Sequence, residues 1–253
     1  MNSNMFLSNF VRPVFPPKPL PEWALFLDLD GTLLDIAPAP DKVVVPDGLV
    51  HDLGAASVAL GGALAIVSGR TLSEIDTLLS PLRLAAGGEH GAIIRMPSGQ
   101  TDEVDARTPV SWAEALEAAA ETKPGTFVER KSHSVAVHYR RAAQHEEFYR
   151  DLCAELLDGH CDDYELLQGK LAMEIRPRTV TKARAVERLM AQEPFSGRKP
   201  VFIGDDATDY DGFRAAQAMG GEGHDVMVRF GGRPKEVRRW LKSVATIAAE
   251  SLQ

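Results

Sequence analysis

The five residues Trp23-Ala24-Leu25-Phe26-Leu27 are apolar without alternation, and they stop abruptly at Asp28-Leu29-Asp30-Gly31-Thr32. A short run with no polar face suits a strand buried on both sides, as in a parallel sheet covered by helices. Ending such a strand on two carboxylates is costly, because an ionised carboxylate resists burial unless a cation or hydrogen bonds compensate. Residues i and i+2 share a strand face, and Gly31 lets the backbone turn sharply just beyond the pair. Asp28 can then present its side chain, and Asp30 its carbonyl, to one bound ion. Alone, the motif also fits a solvated Asp-Gly turn.

The rest of the chain supplies the context. After the strand at 24–28 come a helix at 47–60 and a second apolar strand, Ala63-Leu64-Ala65-Ile66-Val67, ending at Ser68-Gly69-Arg70. A helix at 71–79 leads to Leu84-Ala85-Ala86 and the turn Gly87-Gly88-Glu89-His90-Gly91. From Thr181 the same rhythm resumes: a helix to Gln192, a strand at 200–203 ending at Gly204-Asp205-Asp206, a helix at 208–218, a strand at 225–229 and a helix at 233–247. This alternation predicts an α/β fold, a Rossmann-like parallel-sheet core with helices on both faces.

Between residues 108 and 176 the rhythm changes. A helix at 111–121, strands at 126–130 and 134–140, a helix at 143–157 and strands at 163–168 and 171–176 give the order αββαββ. Strands joined by short connections pair antiparallel, so this stretch is expected to be a smaller α/β cap inserted into the first unit. The expected division is a Pro-rich leader at 1–22, a core at 23–107 and 177–253, and the cap at 108–176. Five prolines between residues 13 and 21 favour an extended leader.

Composition narrows the partners. A net charge of −8 argues against nucleic acid or an anionic membrane surface, though not against a small anion in a pocket with its own cations. Cys153 and Cys161 form no metal-site spacing, and reduced thiols in a cytoplasmic protein are expected. Met1–Phe10 lacks the basic start of a signal peptide, and no apolar run approaches the roughly 18 residues of a membrane span.

Three polar clusters, Asp28–Thr32, Ser68–Arg70 and Gly204–Asp209, each follow a strand of the parallel type. Ligands of open α/β sheets bind outside the carboxyl ends of the strands, so the clusters should meet at one edge. Carboxylates from Asp28 and Asp205, with the Asp30 carbonyl, suit a hard cation that keeps part of its water shell, hence Mg²⁺. Asp28 is placed to attack phosphorus, and Asp30 to protonate the leaving oxygen and later deprotonate water. Ser68 can hydrogen-bond a phosphoryl oxygen. Lys182, opening the helix before the third cluster, can balance the remaining charge. Taken singly, Ser68–Arg70 also reads as a helix cap, Lys182 as a solvated lysine and Asp205-Asp206 as an N-cap.

Asp28-Leu29-Asp30-Gly31-Thr32-Leu33, Ser68-Gly69-Arg70, Lys182 and Gly204-Asp205-Asp206 resemble the four ordered motifs of the haloacid dehalogenase-like phosphatases. Gly88–Gly91, Val128–Lys131, His138–Arg140, Glu174–Pro177 and Gly204–Asp209 are in turn similar to motifs of the trehalose-6-phosphate phosphatases within that superfamily. The resemblance implies Mg²⁺-dependent hydrolysis of trehalose 6-phosphate to trehalose and phosphate through an aspartyl-phosphate. It implies Asp28, Asp30, Ser68 and Lys182 as catalytic residues and Asp28, Asp30 and Asp205 as metal ligands, with Asp206 and Asp209 supporting them. Glu129, Lys131 and Glu174 fall where the family's cap grips sugar hydroxyls, and Arg70, Glu89, His90, His138 and Arg140 join them as candidates. Paired acceptors and donors suit a polyhydroxylated substrate.

Two positions depart from the family pattern. Tyr210, followed by Asp211, stands where a Glu is usual, and Ala183 replaces the glycine that commonly follows the lysine. The competing expectations are a phosphatase for another sugar phosphate, of the sucrose-phosphate or mannosyl-glycerate type, and a catalytically silent sugar-phosphate-binding protein.

Overall fold

The computed structural model describes residues 16–37, 42–169 and 171–246. In chain order the first part holds β1 (Trp23–Leu27), α1 (Leu49–Ala59), β2 (Leu64–Val67), α2 (Leu72–Leu79), β3 (Ala85–Gly88), a single 3₁₀ turn at Glu89–Gly91, β4 (Ile93–Arg95) and β5 (Thr101–Glu103). The middle part holds α3 (Val110–Glu121), β6 (Phe127–Arg130), β7 (Val135–His138), α4 (Glu146–Leu157), β8 (Tyr164–Gly169) and β9 (Ala172–Pro177). The last part holds α5 (Lys182–Met190), β10 (Lys199–Gly204), α6 (Asp209–Ala218), β11 (Glu222–Asp225), α7 (Val226–Phe230) and α8 (Pro234–Ala245).

One sheet runs β11-β10-β1-β2-β3-β4-β5, parallel through its first five strands and antiparallel in the last two. β1 lies at its centre, between β10 and β2, with all five residues buried. Leu25 and Leu27 face a core closed by α1 and α8, including Leu53, Trp240 and Leu241. Ala24 and Phe26 face the opposite core, with Val186 of α5 and Phe213 of α6. Both faces being covered explains why the run needs no polar alternation. The polar clusters follow β1, β2 and β10, three adjacent strands, so their carboxyl ends sit side by side.

The second sheet is antiparallel, β6-β7-β9-β8. Its strands alternate: Val135, Val137, Met173 and Ile175 pack with Trp112 and Leu116 of α3 and Tyr149 and Cys153 of α4. The residues between them, Ala136, His138, Ala172 and Glu174, therefore lie on the other face.

Two features depart from the sequence expectation. Residues 225–229 are not a strand; the strand is Glu222–Asp225, and the apolar Val226–Phe230 is a short helix. The Asp225 side chain caps that helix by accepting the Val228 N–H, and Gly231 at φ +64° ends it. β11 escapes notice because it is built of Glu, Gly, His and Asp. Its glycine is required by close packing, since a Cβ on Gly223 would sit 2.4 Å from the Cβ of Phe213. The hairpin β4–β5 was also not foreseen, because three-residue strands carry no readable period. Of the proline-rich segment, the described part is fastened to the core: the Pro17 carbonyl accepts from Trp240 Nε1 at 2.7 Å and that of Pro21 from Arg198 at 2.9 Å. Pro13 lies outside the described residues. No helix among them is long and apolar enough to cross a membrane.

Candidate active site

Lys182 is buried at the first position of α5, behind Thr181, whose hydroxyl accepts the Arg184 N–H. Arg184 in turn anchors the helix to the unforeseen hairpin, donating to the Gly91 carbonyl at 2.6 Å and to Asp102 at 2.8 Å. The ammonium of Lys182 donates to Oδ1 of Asp28 and Oδ1 of Asp209, both at 2.6 Å. The other oxygen of Asp209 accepts the Asp206 N–H at 2.8 Å, so Asp209 is committed to holding the lysine and the loop.

Asp28, Asp205 and Asp209 bring carboxylate oxygens within 4.8 Å of one another. Asp209 thus joins the two carboxylates expected from sequence, Asp28 and Asp205, as a third member of the cluster. The Asp30 carboxylate turns instead to Arg70, accepting Nε at 2.6 Å and Nη2 at 2.8 Å. This leaves the backbone carbonyl as the only part of Asp30 offered to an ion in the sequence expectation. Gly31 is obligatory here: its φ is +84°, and a Cβ would lie 2.2 Å from Oδ2 of Asp205. Thr32, not singled out from sequence, donates to Oδ1 of Asp205 at 3.3 Å.

Asp28 and Asp209 share Lys182, and burial, reinforced by Asp209 and Asp205, pushes the Asp28 carboxyl well above its usual range against the pull of Lys182. Burial alone would lower the Lys182 ammonium, but Asp209 and Asp28 hold it above its usual value and therefore charged. A largely buried cluster of carboxylate oxygens is a fitting place for a hard divalent cation.

Beside this cluster is a cavity of about 300 Å³. Asp28, Asp30, Ser68, Arg70, Lys182, Asp205 and Asp206 line it from the first sheet, and Glu129, Lys131, His138 and Arg140 from the second, with His90 between them. An adjoining cavity of about 320 Å³ shares His90, His138 and Asp206 and adds Glu174 and Arg176. Nearly every residue expected from sequence therefore meets at one cleft between the two sheets.

The cap side is a charge-compensated network. Glu174 accepts from Lys131 at 2.9 Å and from Ser134 at 2.5 Å, with His90 at 3.7 Å. Burial would raise the Glu174 carboxyl, but Lys131, His90 and Ser134 hold it well below the usual range. Burial pushes His90 down despite Glu174, so its ring is neutral near pH 7. Glu129 fixes His138 at 2.8 Å, and Arg140 donates to the Ala37 carbonyl of the first unit. Ser134 was missed in the sequence; its signal is position, directly across the turn from Lys131, whose N–H bonds its carbonyl at 3.0 Å.

Glu89 is the exception among the expected substrate residues. It is buried, lines neither cavity, and accepts the His133 N–H at 3.0 Å, which ties the 89–91 turn to the cap. Its φ of +47° lies in the left-handed region. Tyr210 likewise points to the sheet edge, its hydroxyl 3.4 Å from Asp225, while Asp211 lies 3.9 Å from Arg176.

Comparison with known proteins agrees with this geometry. The family model described as trehalose-phosphatase matches residues 26–237. The chain is 38% identical over 241 residues to the trehalose-6-phosphate phosphatase of Escherichia coli (strain K12), covering 91% of this chain and 89% of that one. It is 41% identical over 203 residues to a protein of Sinorhizobium fredii (strain NBRC 101917 / NGR234) named "Probable trehalose-phosphate phosphatase", covering 80% and 77% respectively. The fold superposes on the C-terminal domain of the C. albicans trehalose-6-phosphate phosphatase with a TM-score of 0.71 at 23% identity, covering 88% of this chain and 92% of that one. By its sequence, the chain belongs to the trehalose-phosphatase family.

Proposed function

We propose that the protein hydrolyses trehalose 6-phosphate to trehalose and phosphate, with Asp28 as nucleophile and Mg²⁺ as the cation. The observation that carries this reading is the placement of Lys182. By holding Oδ1 of Asp28 at 2.6 Å it orients the second carboxylate oxygen for attack and leaves a positive charge beside the transferring phosphoryl group.

In the first half-reaction an Asp28 oxygen bonds to phosphorus and the bond from phosphorus to the sugar oxygen breaks. Asp30, on the cavity wall, delivers a proton to that leaving oxygen once the Arg70 fork releases one of its oxygens. In the second half-reaction Asp30 takes a proton from water, whose oxygen bonds to phosphorus as the aspartyl bond breaks. The Ser68 hydroxyl, on the cavity wall, orients a phosphoryl oxygen. A divalent cation bound by Asp28, Asp205 and the Asp30 carbonyl would neutralise a phosphoryl oxygen and hold phosphorus in line.

Glu129, Lys131 and Glu174 offer the acceptors and donors that read sugar hydroxyls, and the stretch 108–176 that carries them acts as the substrate-selecting cap. The two free thiols agree with a cytoplasmic location. Phosphate release across a panel of sugar phosphates tests the reading. Trehalose 6-phosphate should give the highest kcat/KM, and a higher value for sucrose 6-phosphate or a mannosyl-glycerate phosphate would overturn it.

A further inference from the structure

The cavity face of the second sheet is not uniformly polar. Along β6, Val128 packs into the cap core, so Phe127 and Glu129 project to the opposite face, toward the cleft. Phe127 is 47% exposed on an edge strand, and it lines the cavity that holds Asp28 and Lys182. One of its faces is covered by His138, its cross-strand partner, at 4.4 Å between centroids and 8° between planes. His138 is itself held by Glu129 at 2.8 Å, so the stack is braced from behind. The other face of Phe127 is open.

Other apolar side chains line the cavity as well. Ile36, 48% exposed, lines the same cavity with Ala37 and Val43. Arg140, two residues beyond His138, donates to the Ala37 carbonyl and so ties this end of the cap to that part of the lining. Of the hydroxyl-reading groups, Glu129 is beside the stack, while Lys131, paired with Glu174, is four residues from Phe127, about 13 Å along an extended strand. That separation exceeds one pyranose ring. A cavity that holds these charged groups and an open aromatic face has room and chemistry for a second ring.

We propose that Phe127, backed by His138, is the subsite for the unphosphorylated pyranose of a disaccharide phosphate. The axial C–H bonds of a pyranose, polarised by its hydroxyls, meet the negative face of the phenyl ring, and Ile36 adds an apolar surface to the same cavity. Phe127 is then a specificity residue that selects disaccharide over monosaccharide phosphates. The inference rests on the substrate proposed above.

The test is the ratio of kcat/KM for trehalose 6-phosphate to that for glucose 6-phosphate, measured for the wild type, Phe127→Ala and Phe127→Trp. Phe127→Ala should lower the ratio about tenfold, and Phe127→Trp should keep it within about threefold of wild type, since an aromatic contact adds up to about one decade in affinity beyond the area it covers. An unchanged ratio in Phe127→Ala, or an equal loss in both aromatic and alanine variants, would overturn the subsite. A wild type with no preference for the disaccharide overturns the substrate reading itself, so the two failures are separable. Unfolding midpoints of all three proteins exclude a general loss of structure, which the half-exposed edge position makes unnecessary.

Discussion

Replacing Lys131 by Met tests whether the cap network is held by charge. Lys131 and Glu174 meet at 2.9 Å with side chains only 7% and 13% exposed. Removing one partner of a buried pair costs about 3–5 kcal/mol, and the hydroxyl of Ser134 with the adjoining cavity should bring this toward about 2–3 kcal/mol. In the wild type the Glu174 carboxyl is held well below its ordinary value, against burial, chiefly by Lys131. A depressed carboxyl contributes stability above its unfolded value near 4.3, and loses it as pH falls through the lower folded value. Without Lys131, burial dominates and the folded value rises above the unfolded one. Ionised Glu174 then penalises folding increasingly as pH rises above about 4.3. The stability difference between wild type and variant should therefore be largest near pH 7.5 and smaller at pH 4.5. Urea unfolding at both values measures it. The double variant Lys131→Met/Glu174→Gln should recover at least about 1 kcal/mol over the single one at pH 7.5, because no buried charge remains unpaired. A loss independent of pH, or a double variant no more stable than the single, would refute the electrostatic account.

Other perturbations give equally definite expectations. Gly31→Ala forces a non-glycine residue into the left-handed region and a methyl onto Asp205, and should cost about 2–4 kcal/mol in urea unfolding. The same variant should lose the stabilisation that Mg²⁺ gives the wild type, and full retention of that stabilisation would contradict the placement of Asp205. Asp209→Asn removes the carboxylate that positions Lys182 at 2.6 Å and should lower kcat on the order of 10²-fold with a smaller change in KM. A change confined to KM would show that Lys182 is positioned otherwise. Burial pushes the Cys153 thiol up to about 12, while Cys161 is exposed, so a thiol reagent at pH 8 should modify Cys161 quickly and Cys153 only after denaturation. Two fast-reacting thiols in the native protein would contradict the burial of Cys153.

How much of this was legible in the sequence follows from where the information is local. β1 and Asp28 could be found because an uninterrupted apolar run ends on acids beside a glycine, and both the burial and its exception are written in adjacent residues. The convergence of Asp28, Ser68 and Asp205 followed from strand order, since the three clusters come after neighbouring strands. The hairpin β4–β5 was not legible, although Asp102 on it anchors α5 and so the catalytic lysine. The misread strand at 225–229 shows the same limit: Val226–Phe230 is apolar enough for a strand, but the Asp225 cap and Gly231 make it a helix. The bond from the His133 N–H to Glu89 was not legible, because side-chain direction at a positive φ cannot be deduced from spacing. The place of Asp209 in the carboxylate cluster was not legible, because Lys182, distant from it in sequence, is what draws it in beside Asp28. Phe127 went unnoticed since an aromatic at strand spacing reads as core until its register is known.

The central claim is that Asp28 carries the phosphoryl group. Rapid acid quench of the Mg²⁺-loaded enzyme turning over trehalose 6-phosphate, followed by peptide mass analysis, tests it most directly. The account predicts one phosphoryl group on the peptide containing Asp28, absent in Asp28→Asn, whose steady-state turnover should also fall by at least about 10⁴-fold. Turnover with no protein-bound phosphate at any quench time, or an Asp28→Asn variant working near the wild-type rate, would contradict it.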